Sequence, residues 1–366
     1  MRDVLAEVRR LRAAGETFAL ATVVQTWRSA PRQPGASMVV PGSGEPVGSV
    51  SGGCVEGAVY ELAHEVLRTG EPVLQRYGVT DGDAFEVGLT CGGILDVFVE
   101  RVTPQAWPEL DQVLDASDAD APIAVVTVVA GPGRVGTHLV VTPAGGDGHL
   151  GSLRLDAAVT DDARGMLESG VTGTLHIGPD GERRLDDLTV FVESFAPAPQ
   201  MYVFGAIDFA AAVARIGKFL GYRVTVCDAR PVFATRKRFP EADQVVVEWP
   251  HRFLAGAEVD DRTVICVLTH DPKFDVPLLD VALRTKAAYI GVMGSRRTHD
   301  DRLARLREAG VTEELLARMS SPIGLDIGAR TPEETAVSIA AEIVASRWGG
   351  TGQALRETTG PIHVER

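Results

Sequence analysis

No apolar run in this sequence reaches the roughly eighteen residues that a membrane-crossing helix requires. Blocks of lysine or arginine are missing too. The formal net charge is −14, from 36 basic against 50 acidic residues, so nonspecific binding to nucleic acid or to anionic lipid has no positive footprint to meet. Neither a nucleic acid nor a membrane is therefore an expected partner, although backbone amides can still hold a small anion locally. Cysteine is scarce, at four in 366 residues. That is too few for a disulfide framework, and no histidine stands at a spacing that would complete a structural zinc site. The opening MRDVLAEVRRLRAAG interleaves charges through an amphipathic pattern and does not read as a secretion signal. Thiols without secretory features point to a reducing, cytoplasmic setting.

What is present is long for one core, so two or three domains are expected. Helical spacing over residues 3–14 stops at Gly15, and strands are expected over 18–26, 37–40 and 94–99. A polar loop with Pro31 and Pro34 fills 27–35, a helix over 57–67 is closed by Gly70, and 104–120 reads as a linker or short helix. Proline-rich ESFAPAPQ, 193–200, marks the main boundary. Beyond it strands at 201–204, 223–227, 243–247, 263–268 and 288–292 alternate with helical patterns. The fold class expected is α/β: a C-terminal Rossmann-like, mainly parallel sheet with helices on both faces, after an α+β N-terminal region containing a degenerate internal duplication. The expected domains are 1–104, 105–197 and 198–350, with a tail at 351–366.

The duplication is visible in the residues. Ala21-Thr22-Val23-Val24 returns as Val126-Thr127-Val128-Val129, and Val97-Phe98-Val99-Glu100 as Val190-Phe191-Val192-Glu193. Gly48-Ser49-Val50 aligns with Gly151-Ser152-Leu153 on this reading. The second copy then lacks the Gly52-Gly53-Cys54-Val55-Glu56-Gly57 and Cys91-Gly92-Gly93 turns. A fold needs the shared aliphatic pattern but not the turns, so chemistry is expected in the turns. A thiol near a helix N-terminus and open amides favours thiolate, which suits nucleophilic attack, sulfur transfer or contact with a soft metal. Cys54 and Cys91 are the candidate thiols, against the alternative that each is a buried small residue. Cys227 and Cys266 sit inside apolar strands and read as core. Arg28 and Arg32, in WRSAPRQPG, either supply charge for an anionic ligand or lie at the surface.

Gly205-Ala206-Ile207-Asp208-Phe209-Ala210 stands where a dinucleotide fingerprint belongs, with Asp228 ending the next strand. Ile207 replaces the glycine that admits a pyrophosphate, and Asp208 places negative charge at the helix start. Either the sheet no longer takes NAD(P) in the ordinary way, or Asp228 grips a ribose hydroxyl and Arg230 a phosphate. Thr269-His270-Asp271 ends one strand, and the segment with Gly294, Ser295, Arg296 and Arg297 follows another. Glycine, hydroxyl and guanidinium there suit a phosphate or carboxylate. The loop 321–331, with Asp326 and Arg330, leads into a Thr331-Pro332 helix cap.

QTWRSAPRQPGASM, GSVSGGCVEG, TCGG, GAIDFA, DARPVFA, THD, GVMGSRRT and SPIGLDIGARTPEETAVSIAAEI together resemble the XdhC/CoxI family of molybdenum hydroxylase accessory proteins. The resemblance spans almost the whole chain and departs at Ile207-Asp208, where members typically read glycine-histidine. It implies a maturation factor more than a turnover enzyme. Such a factor binds and protects a molybdopterin-type molybdenum cofactor and works with a cysteine desulfurase that installs the sulfido ligand. It then delivers the cofactor to the cofactor-bearing subunit of a xanthine dehydrogenase-type hydroxylase. Cys54 and Cys91 match the family's GGC and CGG segments. The site expected from this is an anion docked between the halves. Its phosphate lies at Gly294-Ser295 with Arg296 or Arg297, and its soft end meets Cys54 and Cys91. Arg28, Arg32, Gly52, Gly53, Glu56, Gly92, Gly93, Gly205, Asp228, Arg230, His270, Asp271, Asp326 and Arg330 are the further candidates, and a homodimer is a further expected partner state. Two other readings stand beside it: an NAD(P)- or nucleotide-binding oxidoreductase, and a client-binding scaffold that holds no small molecule.

Overall fold

Aliphatic runs punctuated by glycine give the N-terminal unit, Met1–Pro197, two antiparallel sheets of one design. The computed structural model describes residues 1–28, 30–78 and 93–359. After a 3-10 turn at Arg2–Val4, helix α1 (Leu5–Ala14) buries Val8 and Leu11 and ends at Gly15. The first sheet holds β1 (Phe18–Trp27), β2 (Ser37–Pro41), β3 (Val47–Gly48), β4 (Val73–Gly78) and β5 (Ile94–Val102), in the order β3-β2-β1-β5-β4, with α2 (Glu56–Thr69) following β3. Helix α3 (Leu110–Asp118) leads to β6 (Ile123–Ala130), β7 (His138–Thr142), β8 (Gly145–Gly148), β9 (Gly173–Ile177) and β10 (Leu188–Phe195). Their order is β8-β7-β6-β10-β9, and α4 (Leu153–Ser169) follows β8.

Both faces of each sheet are covered, which is why β1 and β6 read as continuous apolar runs. Ala19, Ala21 and Val23 of β1 turn toward Val59, Ala63 and Val66 of α2. Val126 and Val128 of β6 turn toward Val159, Ala163 and Leu167 of α4. The alternate residues meet in a shared interior, where Phe18, Leu20 and Val102 pack with Ile123, Val125 and Phe195 and with α1 and α3. At one end of this seam Val24 and Phe98 meet their own counterparts, Val129 and Phe191. Polar groups cross it as well. Glu100 of β5 pairs with His138 Nε2 at 2.8 Å, Thr127 Oγ1 lies 3.1 Å from His138 Nδ1, and Trp107 stacks on the imidazole at 3.9 Å.

The structure corrects the register of the repeat. Gly48 and Gly148 hold equivalent places, each backed by the carbonyl of its paired strand, from Ser37 and His138. Helices α2 and α4 end equivalently at Gly70 and Gly170, both left-handed. Ser49 therefore matches His149, Cys54 matches Arg154 and Glu56 matches Asp156. The second copy keeps the segment at full length, and its helix starts earlier because Ser152 caps it by accepting from the Leu155 amide.

The C-terminal unit, Ala198–Thr359, carries β11 (Gln200–Phe204), α5 (Asp208–Phe219), β12 (Arg223–Asp228), β13 (Gln244–Val247), α6 (Pro250–Gly256) and β14 (Val264–Val267). It continues through α7 (Pro272–Ala282), β15 (Tyr289–Val292), α8 (Arg296–Glu308), α9 (Glu313–Leu316), β16 (Met319–Ser320) and α10 (Pro332–Trp348). All pairings are parallel, in the order β13-β12-β11-β14-β15-β16. This is the doubly wound Rossmann arrangement, with the order reversing between β11 and β14. Helices α5 and α10 cover one face through Ala210, Val213, Ile339 and Ile343. Leu254 of α6, Leu278 and Leu279 of α7 and Leu306 of α8 cover the other. Cys227 and Cys266 lie in this core, where burial pushes each thiol up to about 12.

Candidate functional site

In the N-terminal unit the turn before α2 is organised by one carboxylate. Glu56 accepts from Ser49 Oγ at 2.6 Å, Ser51 N at 2.8 Å, Ser51 Oγ at 2.5 Å and Gly53 N at 2.8 Å. Burial alone would raise its pKa. The Ser49 and Ser51 hydroxyls and the Ser51 amide overcome that and hold it down to about 2. Gly52 N donates to Ser49 Oγ, and Cys54 N and Val55 N both donate to Ser51 Oγ. Every amide from 51 to 55 is thus engaged inside the turn, and the expectation of open amides beside the thiol is not met. Glu56 holds the loop rather than reaching outward. Gly52 and Gly53, at φ of 76° and 115°, give the chain its left-handed course, with open space where a Cβ would stand. Cys54 is half-buried at the rim of the α2 core.

Of the other N-terminal candidates, Arg28 is exposed and left-handed at φ 60°. Arg32 pairs with Asp3 at 3.5 Å and lines an open cavity of about 390 Å³ with Arg2, Asp3, Gln33 and Glu193; Cys54 does not line it. Gly93 is buried just before β5, whereas Cys91 and Gly92 lie outside the described residues. Among the described residues, no three metal-ligating side chains cluster, and no helix is long and apolar enough to cross a membrane.

In the C-terminal unit the strand ends converge at the carboxyl edge of the sheet. Gly205, at φ 106°, is required by close approach: a Cβ would lie 2.8 Å from Thr269 Cγ2 and 3.0 Å from Thr269 N. The glycine joins the β11 and β14 loops. The first turn of α5 carries an acid. Asp208 is 86% exposed and pairs with Arg238 at 3.0 Å, while Arg238 also donates to the Ala206 carbonyl. Asp228 is buried and accepts from Ala206 N at 2.7 Å and from Arg230 N, Nε and NH2 at 2.8–2.9 Å. Burial pushes its carboxyl up, but Arg230 and these amides bring it below the ordinary carboxylate range. The two residues expected to hold ribose and phosphate are hydrogen-bonded to each other.

The later loops are different. Ser295 caps α8 by accepting from Thr298 N, and no acid lies in the helix's first turn. Arg296 and Arg297 open that helix, exposed to solvent. His270 is exposed at the end of β14, and Asp271 caps α7 and pairs with Lys273 at 3.0 Å. Asp326 and Arg330 are exposed. The Arg330 amide donates to Glu334, part of the capping box that starts α10. Sequence reasoning missed the pair beneath these loops, Asp275 and Arg302, 3.1 Å apart and both nearly fully buried. Each lies in a helix of otherwise ordinary charge pattern, and nothing in the spacing marks them as partners.

Together these features define a Rossmann-type unit and a duplicated antiparallel unit in one chain. Comparison with known proteins places that combination. The family model described as the XdhC Rossmann domain matches residues 201–343, and the XdhC and CoxI family model matches 11–78 and 116–178, one segment in each antiparallel sheet. A Bacillus subtilis protein named as a probable xanthine dehydrogenase subunit is 30% identical over 91% of this chain and 94% of its own length. The Escherichia coli molybdenum cofactor insertion chaperone PaoD is 27% identical over 91% of this chain and 85% of its own. A solved structure described as a xanthine dehydrogenase from Bacillus halodurans superposes with a TM-score of 0.68 at 23% identity, covering 97% of both chains. The chain belongs to the XdhC/CoxI family.

Proposed function

We propose that this chain is a cytoplasmic maturation factor for a molybdenum hydroxylase. Its cargo is the molybdopterin-type cofactor, which it protects, presents for sulfuration by a cysteine desulfurase and passes to the hydroxylase's cofactor-bearing subunit. The relative named as a molybdenum cofactor insertion chaperone, aligned along nearly its whole length, supports the cargo. One observation of the site carries the assignment: α8 opens with a capping serine, two exposed arginines and no acid. The positive end of a helix dipole and two guanidiniums suit the phosphate of the cargo. The start of α5 does not suit it, because Asp208 stands there. That same residue weighs against an NAD(P)-linked oxidoreductase. Cys54, in the N-terminal unit, is a separate proposal: a thiol for sulfur handling.

The test is expression of the full chain in a host that makes molybdenum cofactor, followed by mass spectrometry and metal analysis of what copurifies. The unaltered chain is expected to carry one pterin species with molybdenum, and the Arg296→Ala/Arg297→Ala variant to lose most of it. A chain that carries neither, or a variant that retains both in full, overturns the reading.

A further inference from the structure

We infer that Arg302, held by Asp275, is the positioning residue of the carboxyl edge: it fixes the loops after β14, β15 and β16 relative to one another. The inference rests on the reading of residues 294–297 as the anion cradle, whose shape the residue would set. Arg302 lies one and a half turns into α8 with its side chain 3% exposed. Its NH2 donates to the Met293 carbonyl at 2.9 Å and to Asp275 Oδ2 at 3.1 Å, and its NH1 to Ser321 Oγ at 3.3 Å. The other oxygen of Asp275 accepts from the Thr269 hydroxyl. Thr269, in turn, packs where Gly205 has no side chain. One guanidinium and one carboxylate therefore connect loops from β11, β14, β15 and β16. Gly294 belongs to the same assembly, since a Cβ there would stand 3.4 Å from Arg302 NH2 and 3.2 Å from Thr298 Cβ.

The physical argument is one of geometry against stability. A fully buried ion pair seldom stabilises a fold more than well-packed apolar residues of the same volume. What apolar residues cannot do is aim at several acceptors at once, and the rigid guanidinium fork does so in a fixed plane that a lysine ammonium lacks. Removing the pair together, rather than one partner, separates the two roles because it leaves no orphaned charge.

The experiment compares the full-length chain with Asp275→Leu/Arg302→Met by amide hydrogen exchange, thermal unfolding and titration with inorganic pyrophosphate. Exchange in residues 293–298 is expected to quicken by about tenfold or more, with β11 amides and the melting temperature little changed. Pyrophosphate affinity is expected to fall about tenfold, because a loosened cradle must be ordered on binding. Unaltered exchange in 293–298, or protection lost equally across the unit, overturns the inference. If the double variant does not fold, Arg302→Lys retains the balancing charge without the fork, and the same local loss of protection is required of it. If the unaltered chain does not bind pyrophosphate, the anion cradle is refuted, whereas the exchange measurement still decides the positioning role.

Discussion

Cys54 and Arg154 occupy the same place in two copies of one unit, each two residues ahead of the carboxylate that ties its turn. Glu56 gathers Ser49, Ser51 and Gly53, whereas Asp156 accepts from the Leu150 amide and from His149. The scaffold is shared and the thiol is not. Cys54→Ser is accordingly expected to leave the urea unfolding midpoint nearly unchanged while reducing sulfurated cofactor in the purified protein. Arg154→Ala should change neither. Equal cofactor and sulfur content in the Cys54 variant would remove this thiol from the site.

Glu56 gives a pH signature. Its folded pKa, about 2, lies below the ordinary 4.5. A depressed carboxylate stabilises the fold above its unfolded pKa, and the contribution is lost as pH falls from about 4.5 toward 2. Solvent screening at this half-buried position limits it to about 1–2 kcal/mol. Glu56→Ala is expected to lose that amount at pH 7 and only about a quarter of it at pH 2.5, as read by denaturant unfolding at the two values. Parallel losses at both pH values would mean that packing, not charge, accounts for the residue.

The seam between the two sheets should be sensitive at Glu100. Removing its carboxylate leaves His138 Nε2 buried beside Trp107 without its partner. Glu100→Ala is expected to destabilise the N-terminal unit by about 2–4 kcal/mol. A midpoint shift equivalent to less than about 0.5 kcal/mol would show that the apolar contacts alone hold the sheets together.

Cys227 and Cys266 should be silent toward alkylation. With thiols at about 12, the thiolate fraction at pH 8 is on the order of one in ten thousand, and the buried strands block access as well. Iodoacetamide treatment of the folded chain, read by peptide mass spectrometry, is expected to leave both unmodified and to label them only after denaturation. Rapid labelling of either in the native state would contradict its placement in the core.

Much of the architecture was legible because periodicity and burial agree. The apolar segments at 201–204 and 263–268 are covered on both faces, and their texture says so. Strands β4 and β9 escaped notice because Gln75, Arg76 and His176 interrupt the apolar pattern at a sheet edge. β16, with two residues, is too short for any pattern. The repeat was legible from its ends but misregistered in the middle, where a serine cap in one copy and a glycine turn in the other produce similar letters at shifted positions. Among the candidate segments, sequence named the α8 start and the Cys54 turn, and both stand as proposals. It did not foresee that Asp228 and Arg230 satisfy each other, since a partner two residues away in a turn looks the same as two free ligands.

The meeting of Val24 and Phe98 with Val129 and Phe191 bears on why the degraded repeat persists. Each copy serves as the other's missing half-shell, so an isolated first copy would present bare valine and phenylalanine to water and invite aggregation. The second copy can drift wherever it faces outward, as at Arg154, but it must remain a buttress along its inner wall.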